Sequence, residues 1–363
     1  MKKYKLAFIG GSKYSIAGTP HYIASQMDDR FEVVAGVFSS KSEINHEMEQ
    51  AWNVKSYNNY ITMLECEDID IVAILTPTPL HFEALEYLLS KNIPVICEKP
   101  LVSSLADAVR LEELSKNKFL VVTNNYSGYP MVRELKERIV NNELGEIINI
   151  KLEMPQETFL RPPKSVKYPQ PWRLKDDYIP MICLDLGAHL HHLAYFLIEE
   201  EPDEIIGHFS TFSSYNVIDD VKMLLNYKDN KKASLWISKS AIGHRNGLSI
   251  EVYGTKGSAS WVQEKSEELK MSFFNGDKII VDRGNDCMIA NEKRYNRMTS
   301  GHPSGFIEAF ANLYTDIAEQ FDNFNQKNSY KSKYVFGIEH AKNGLNLFHK
   351  AKESFEKKEW VKL

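Results

Sequence analysis

Residues 94–102 read PVICEKPLV, and this stretch raises the first chemical question. An apolar run, Pro94-Val95-Ile96-Cys97, ends abruptly in Glu98-Lys99-Pro100. A lysine at the tip of a strand-like segment can be held rigidly over a pocket, where its ammonium bonds a reacting oxygen and lowers that oxygen's pKa. A second pair lies in LDLGAHLHHL, 184–193. Asp185 and His189 are four residues apart, so on an α-helix they share one face. There the carboxylate can orient the imidazole and stabilise its protonated form. Such groups move protons at a substrate oxygen. Taken singly each has a plainer reading, since a strand-end lysine faces water and an Asp–His pair at this spacing decorates a helix surface. The cluster His189, Leu190, His191, His192 lacks the zinc spacings, and no metal is expected. His192 lies on roughly the same face as His189 and is a candidate substrate contact.

The first 125 residues alternate strand and helix signals that would carry the lysine. The apolar runs 5–9, 31–38, 69–75, 94–97 and 119–123 predict strands, and 19–27, 79–90 and 104–116 predict helices. Strands that read as continuous apolar runs between helices imply a parallel sheet covered on both faces, with its ligand crevice at the strands' carboxyl ends. From about residue 145 the texture changes. Strands at 147–154, 204–212, 221–227, 232–238, 248–253 and 258–262 follow one another through short turns such as YKDNKK. Helices are expected at 181–197, 305–321 and 333–352. The fold class is therefore an α/β Rossmann N-terminal domain (1–125) followed by an α+β C-terminal domain (126–363) with a large, mainly antiparallel open sheet. The last helix is expected to pack back on the first domain.

The first strand runs into GGSKYSIAG, residues 10–18. The strict G-x-G-x-x-G pattern is absent, with Ser12 where a glycine would stand. Gly10 and Gly11 still allow a tight turn and close approach to a pyrophosphate, and a helix N-terminus would begin near Gly18. Gly10, Gly11, Ser12, Ser15 and Ile16 are the candidate cofactor-loop residues. The second strand ends Phe38-Ser39-Ser40-Lys41, without the carboxylate that binds a ribose 2′-hydroxyl. Ser39, Ser40 and Lys41 therefore permit NADP beside NAD and lean slightly toward it, unless Lys41 simply faces water.

Composition narrows the classes. The chain has 363 residues, 43% hydrophobic and 26% charged, as in an ordered globular protein of two domains. A formal net charge of −5 argues against a nucleic-acid partner, and no apolar stretch is long enough for a membrane span. MKKYKLAFIGGS has a basic start, but two glycines cut short the apolar core of a signal peptide. The four cysteines have no CxxC spacing, and a reducing, cytoplasmic setting is expected.

At this point the chain resembles the Gfo/Idh/MocA family, named for glucose–fructose oxidoreductase, inositol dehydrogenase and a rhizopine catabolism protein. The resemblance rests on LTPTPLHFEAL (75–85), CEKPL (97–101), the WR pair (172–173), LDLGAHLHHL (184–193), VYGTKGSASW (252–261) and GHPSGFIEAFANLY (301–314). NYSGYP (125–130) is similar to a subgroup whose glycine loop is also lengthened. The resemblance implies a nicotinamide cofactor, a sugar or cyclitol substrate, no metal, and convergence of Lys99, Asp185 and His189 beside the nicotinamide. His189 is then the leading acid/base, Lys99 the polarising donor and a possible relay, and Asp185 the orienting carboxylate that also contacts substrate. Thr76, Pro77, Thr78 and His81, after a central strand, border the nicotinamide half with Glu98, Lys99 and Asn125; Glu98 also has a structural part in the turn. Tyr126, Trp172, Arg173, His192 and His302 are the substrate-side candidates. Trp172 suits a sugar's C–H face, and Arg173 its hydroxyls. The expected activity interconverts a secondary alcohol and a ketone. Two alternatives in such a family are an NAD-dependent glycoside hydrolase without net redox change and a dinucleotide-sensing regulator, which would not need all three polar groups. The family's habit further implies a homodimer or homotetramer through the C-terminal sheet.

Overall fold

The computed structural model describes residues 2–161, 169–329 and 331–363, and part of the proline-rich loop before Trp172, 162–168, lies outside them. The chain folds as two compact units, Met1–Gly128 with Gly305–Lys342, and Tyr129–Ser304 with Asn343–Leu363.

The first unit holds six parallel strands: β1 (Tyr4–Gly10), β2 (Phe31–Val37), β3 (Lys55–Ser56), β4 (Ile71–Leu75), β5 (Val95–Glu98) and β6 (Leu120–Thr123). Their order, β3-β2-β1-β4-β5-β6, is that of a doubly wound dinucleotide-binding sheet, with the reversal of strand order between β1 and β4. All five residues of β4 and all four of β6 are buried, as continuous apolar runs require. The connecting helices are α1 (Gly18–Gln26), α2 (Ser42–Trp52), α3 (Tyr60–Cys66), α4 (His81–Ser90) and α5 (Leu105–Leu114). Apolar periodicity did not reveal α2 or α3. The SEINHEMEQAW segment is mostly polar and buries only Asn45 and Met48.

The segment that completes this unit is the helix Phe306–Asn325. Its buried stripe, Ala309, Phe310, Leu313, Tyr314, Ile317 and Phe321, enters the core with Tyr4, Phe31 and Phe119. Tyr4 and Phe119 each meet the Phe321 ring at 4.7 Å. The first unit therefore runs to Gly128 rather than ending at 125, regains Gly305–Lys342, and includes the first turn of the last helix. The helix Ile338–Lys357 passes mostly into the second unit, because the aromatic stripe that fits the sheet belongs to 306–325.

The second unit begins with helix α6 (Pro130–Val140), followed by β7 (Ile147–Pro155). Helix α7 (Ala188–Ile198) precedes strands β8 (Glu204–Ser210), β9 (Asp220–Asn226), β10 (Lys232–Ser238), β11 (Ser249–Gly254), β12 (Gly257–Val262), β13 (Leu269–Phe273), β14 (Lys278–Val281) and β15 (Val361–Lys362). They form a nine-stranded sheet ordered β14-β13-β12-β11-β7-β10-β9-β8-β15, antiparallel throughout except that β7 and β10 run parallel. Alternation is clean where one face is covered: Val221, Met223 and Leu225 of β9 and Ala233, Leu235 and Ile237 of β10 are buried.

Helix α6 escaped the sequence reading because its charges imitate an exposed segment. They are instead paired inside. Glu134 is fully buried, takes the Arg138 guanidinium at 2.7 Å, and accepts backbone N–H groups of Met288, Ile289 and Ala290. Arg133 donates to the Tyr295 hydroxyl at 2.8 Å. The helix expected at 181–197 carries a π-helical turn, Cys183–Gly187, before α7. Gly187 has room there only for hydrogen, since a Cβ would lie 2.9 Å from the Phe348 ring. His192, expected to meet substrate, is only 1% exposed and stacks on Phe196, which is the placement of a core imidazole.

Two measurements test these packing statements. Glu134→Ala leaves the buried Arg138 guanidinium with Glu143 as its one remaining carboxylate, strands three backbone donors, and should cost about 3 kcal/mol in urea unfolding, whereas a surface ion pair such as Lys116–Glu113 should cost under about 1. Burial, reinforced by neighbouring His191, pushes the His192 pKa down to about 3. An unfolded histidine titrates near 6.5, so below that pH the unfolded chain binds a proton that the folded chain refuses. This contribution to stability is complete above pH ~6.5 and is lost progressively as pH falls toward 3. The slope of unfolding free energy against pH in that window should be shallower in His192→Leu than in the parent.

Candidate active site

In the first unit the groups of interest gather at the carboxyl ends of β1, β4, β5 and β6. Gly10 and Gly11 have φ of +83° and +75°, in the left-handed region that glycine adopts without strain. A Cβ on Gly10 would lie 2.7 Å from the Thr76 nitrogen at the end of β4, and one on Gly18 would lie 2.1 Å from the Gly11 carbonyl oxygen. The lengthened loop closes on itself. The Ser15 N–H donates to the Ser12 carbonyl, and the Ser15 hydroxyl accepts the Gly18 N–H, both at 2.8 Å. Ser12 is buried, while Ile16 is 75% exposed. The glycine that the motif lacks at Ser12 is thus supplied later, at Gly18, where the loop meets the helix. At the end of β2, Ser39 exchanges two hydrogen bonds with Asn45, and Lys41 is exposed at the start of α2.

Two buried polar atoms at these strand ends lack a protein partner, the Thr76 hydroxyl and the Asn125 amide nitrogen. Buried polar groups are nearly always satisfied, so this pair fits a site built to bond a polar ligand. Together with the Gly10, Gly11 and Gly18 cradle, it fits a dinucleotide. Pro77 and Thr78 lead through a short turn, Thr78–Leu80, into α4. His81 was expected to border the cofactor. It is 1% exposed, and its ring nitrogens face backbone carbonyls: Thr76 at 2.8 Å on one side, Pro100 and Leu101 at 3.1 Å on the other. Burial lowers its pKa. It ties the end of β4 to the turn after Lys99 and so acts through the backbone. Tyr126 is buried, with its ring 6.0 Å from Phe306.

In the second unit the centre is Asp185, inside the π turn. Its Oδ2 receives the Lys239 ammonium at 2.5 Å and is ion-paired with Arg173. The Arg173 guanidinium lies 4.4 Å over the Trp172 ring, whose N–H donates to Gln170 at 2.7 Å. His189 is buried on α7. The sequence reading pairs Asp185 with His189; the partners of the carboxylate in the structure are two cations, Lys239 and Arg173. His302 is exposed, in a loop held by Arg283 donating to its carbonyl at 2.9 Å.

Lys239 was missed, and a signal for it exists. Ala233, Leu235 and Ile237 face the core from β10, and a period of two puts residue 239 on the same face. A lysine where the next apolar residue is due is a buried charge in need of a carboxylate. Burial pushes the Lys239 pKa down, and Asp185 opposes that shift.

The known proteins agree with this picture. The profile described as "Oxidoreductase family, NAD-binding Rossmann fold" matches residues 4–126, and the one described as "GFO/IDH/MocA C-terminal domain" matches 132–260. An uncharacterized oxidoreductase, YfiI, of Bacillus subtilis (strain 168) is 26% identical over 347 residues, covering 90% of this chain and 87% of that protein. The crystal structure of an oxidoreductase from Sinorhizobium meliloti superposes with a TM-score of 0.84 at 30% identity, covering 99% of this chain and 100% of that one. An inositol dehydrogenase homolog from Azotobacter vinelandii, complexed with NADH and myo-inositol, has the same fold, with a TM-score of 0.89 at 24% identity over 100% of this chain and 98% of that one. Profiles over both units, a full-length relative at 30% identity and a glycine cradle shaped for a dinucleotide agree: this chain belongs to the Gfo/Idh/MocA family of NAD-binding oxidoreductases.

Proposed function

We propose that this oxidoreductase is an NAD(P)-dependent dehydrogenase that interconverts a secondary alcohol and a ketone on a sugar, sugar derivative or cyclitol. The observation that carries the reading is a sheet with a dinucleotide cradle whose strand ends bear two orphaned buried polar atoms, Thr76 Oγ1 after β4 and Asn125 Nδ2 after β6, with Lys99 following β5 between them in strand order. The Azotobacter vinelandii homolog, complexed with NADH and myo-inositol, supports the substrate class.

Gly10, Gly11, Ser12 and Ser15 would hold the pyrophosphate, and Thr76 and Asn125 the nicotinamide side. When bound, NAD(P)+ supplies the hydride acceptor. The protein supplies the proton chemistry. Lys99 donates to the reacting oxygen and favours its alkoxide character. His189 takes the hydroxyl proton during oxidation and returns it during reduction. Asp185, steadied by Lys239 and Arg173, orients the site and bonds a substrate hydroxyl. Trp172 presents a flat ring to the apolar face of the substrate. Lys41, exposed where many NAD enzymes carry a carboxylate, tolerates a 2′-phosphate, so NADP is accepted as well as NAD.

A cytoplasmic setting belongs to the same proposal, supported by four unpaired cysteines, of which Cys97, Cys183 and Cys287 are buried. No described helix is long and apolar enough to cross a membrane. Self-association through the second unit's sheet is also proposed. Its open face carries Lys222, Leu224, Ser234, Trp236 and Glu153 around a shallow cavity of about 360 Å³, a mixture of apolar and charged groups suited to a second copy.

A screen of polyols and sugars with NAD+ and NADP+, read as absorbance of the reduced cofactor, tests the activity. Cleavage of a nitrophenyl glycoside with no net reduction would replace it with the hydrolase reading. On the best substrate, Lys99→Ala and His189→Ala should each lower kcat/KM by about 10²–10⁴-fold. Lys239→Met, which leaves Asp185 to swing, should cost on the order of 10²-fold. Full activity in Lys99→Ala or His189→Ala would sink the mechanism. Lys41→Ala should weaken NADPH binding about tenfold and leave NADH nearly unchanged, as measured by cofactor fluorescence.

A further inference from the structure

A chain of buried polar groups that this mechanism does not use ends on the residue next to Lys99. His21, on α1, is fully buried, with its ring 4.6 Å from Phe310. Its Nδ1 lies 2.7 Å from the Tyr314 hydroxyl, and its Nε2 lies 2.9 Å from Glu98 Oε1. The Thr123 hydroxyl donates to the same carboxylate oxygen. Four separate elements therefore meet on one chain of bonds: α1, the ends of β5 and β6, and the helix Phe306–Asn325.

The bonding pattern sets the protons. An ionised carboxylate only accepts, so Nε2 of His21 carries hydrogen and donates to Glu98. In the neutral ring Nδ1 then accepts, and Tyr314 donates to it. Burial, with the charge of Glu98, pushes the Tyr314 pKa well up, which keeps that donor in place. Burial alone would raise the pKa of Glu98, but the bond and charge of His21, then the charge of Lys99 and the bond from Thr123, turn the net shift downward. The groups facing Glu98 are His21, Thr123, Lys99 and, at longer range, Tyr314, His81 and Cys97. A shell this large around one carboxylate is expensive to bury, and apolar residues of equal volume would stabilise the sheet as well or better.

We propose that His21 and Tyr314 are positioning residues for the active site: they fix Glu98 as a stationary negative charge one residue from Lys99. The proposal rests on the catalytic reading of Lys99. A fixed carboxylate beside an ammonium favours its charged form, so Lys99 enters the reaction as a hydrogen-bond donor and leaves proton removal to His189. The electrostatic coupling is mutual, since the same Lys99 charge helps hold Glu98 ionised.

The test needs no substrate. Imidazole ¹⁵N shifts of the full chain should show His21 as the Nε2–H tautomer; the Nδ1–H tautomer would overturn the assignment. With ¹³Cε-labelled lysine, and Lys99→Arg to identify the signal, Lys99 should titrate on the order of one pH unit lower in Glu98→Gln and in His21→Leu. His21→Gln, whose amide can donate to Glu98, should recover part of the shift. Tyr314→Phe, nearly isosteric, should show a smaller change and serves if His21→Leu does not fold. An unchanged Lys99 titration in Glu98→Gln and Tyr314→Phe would overturn the proposal, leaving the chain merely structural. Failure of the dehydrogenase reading would be seen separately, as absence of cofactor reduction with the Lys99 titration still shifted.

Discussion

Strand order in the first unit's sheet reverses between β1 and β4, so the loops leaving these two strands turn away to opposite sides. Two strand ends are left uncovered side by side, Gly10 on one and Thr76 just beyond the other. Their backbones come so close that a Cβ on Gly10 would lie within 2.7 Å of the Thr76 nitrogen. Everything else at this end of the unit follows from that constraint. The loop after Gly10 must turn through left-handed dihedral angles, the helix it enters must begin at a glycine, and the neighbouring strands must deliver polar groups where they emerge. Lys99, Asn125 and Thr76 are those groups.

The second unit solves a different problem. Its sheet has one covered face, and a lysine stands in that face where an apolar residue would normally continue the row. Lys239 is tolerated because Asp185 meets it from the π turn. A π turn commonly marks a functional site, since the extra residue costs helix stability and is kept for what it positions. Here it presents the carboxylate toward both Lys239 and Arg173, while His189 follows on regular helix. The charges of α6 obey the same rule on a larger scale, with Glu134 collecting a guanidinium and three backbone donors.

Much of this was legible from particular residues. The apolar runs at 5–9, 69–75 and 94–97 named the parallel sheet, because strands covered on both faces cannot alternate. CEKPL and LDLGAHLHHL named the catalytic candidates. Other readings failed for identifiable reasons. His81 and His192 looked like ligand contacts because histidines near a motif invite that interpretation; one is consumed by backbone carbonyls and the other by packing. Helix α6 looked exposed because pairing between charges distant in sequence is invisible to a window of residues. The return of 306–325 to the first unit was hidden for the same reason.

The sequence by itself determined the periodicities, and with them the two sheet types, the glycine turn and the strand-end lysine, since each is a property of residues close along the chain. Only the tertiary structure decided which charges are paired. Lys239 on Asp185, and Tyr314 through His21 on Glu98, join residues 54 and up to 293 positions apart. The energy of a buried charge depends on its neighbours in space. The chain can state that Glu98 and Lys239 carry charge; folding alone settles what holds those charges still.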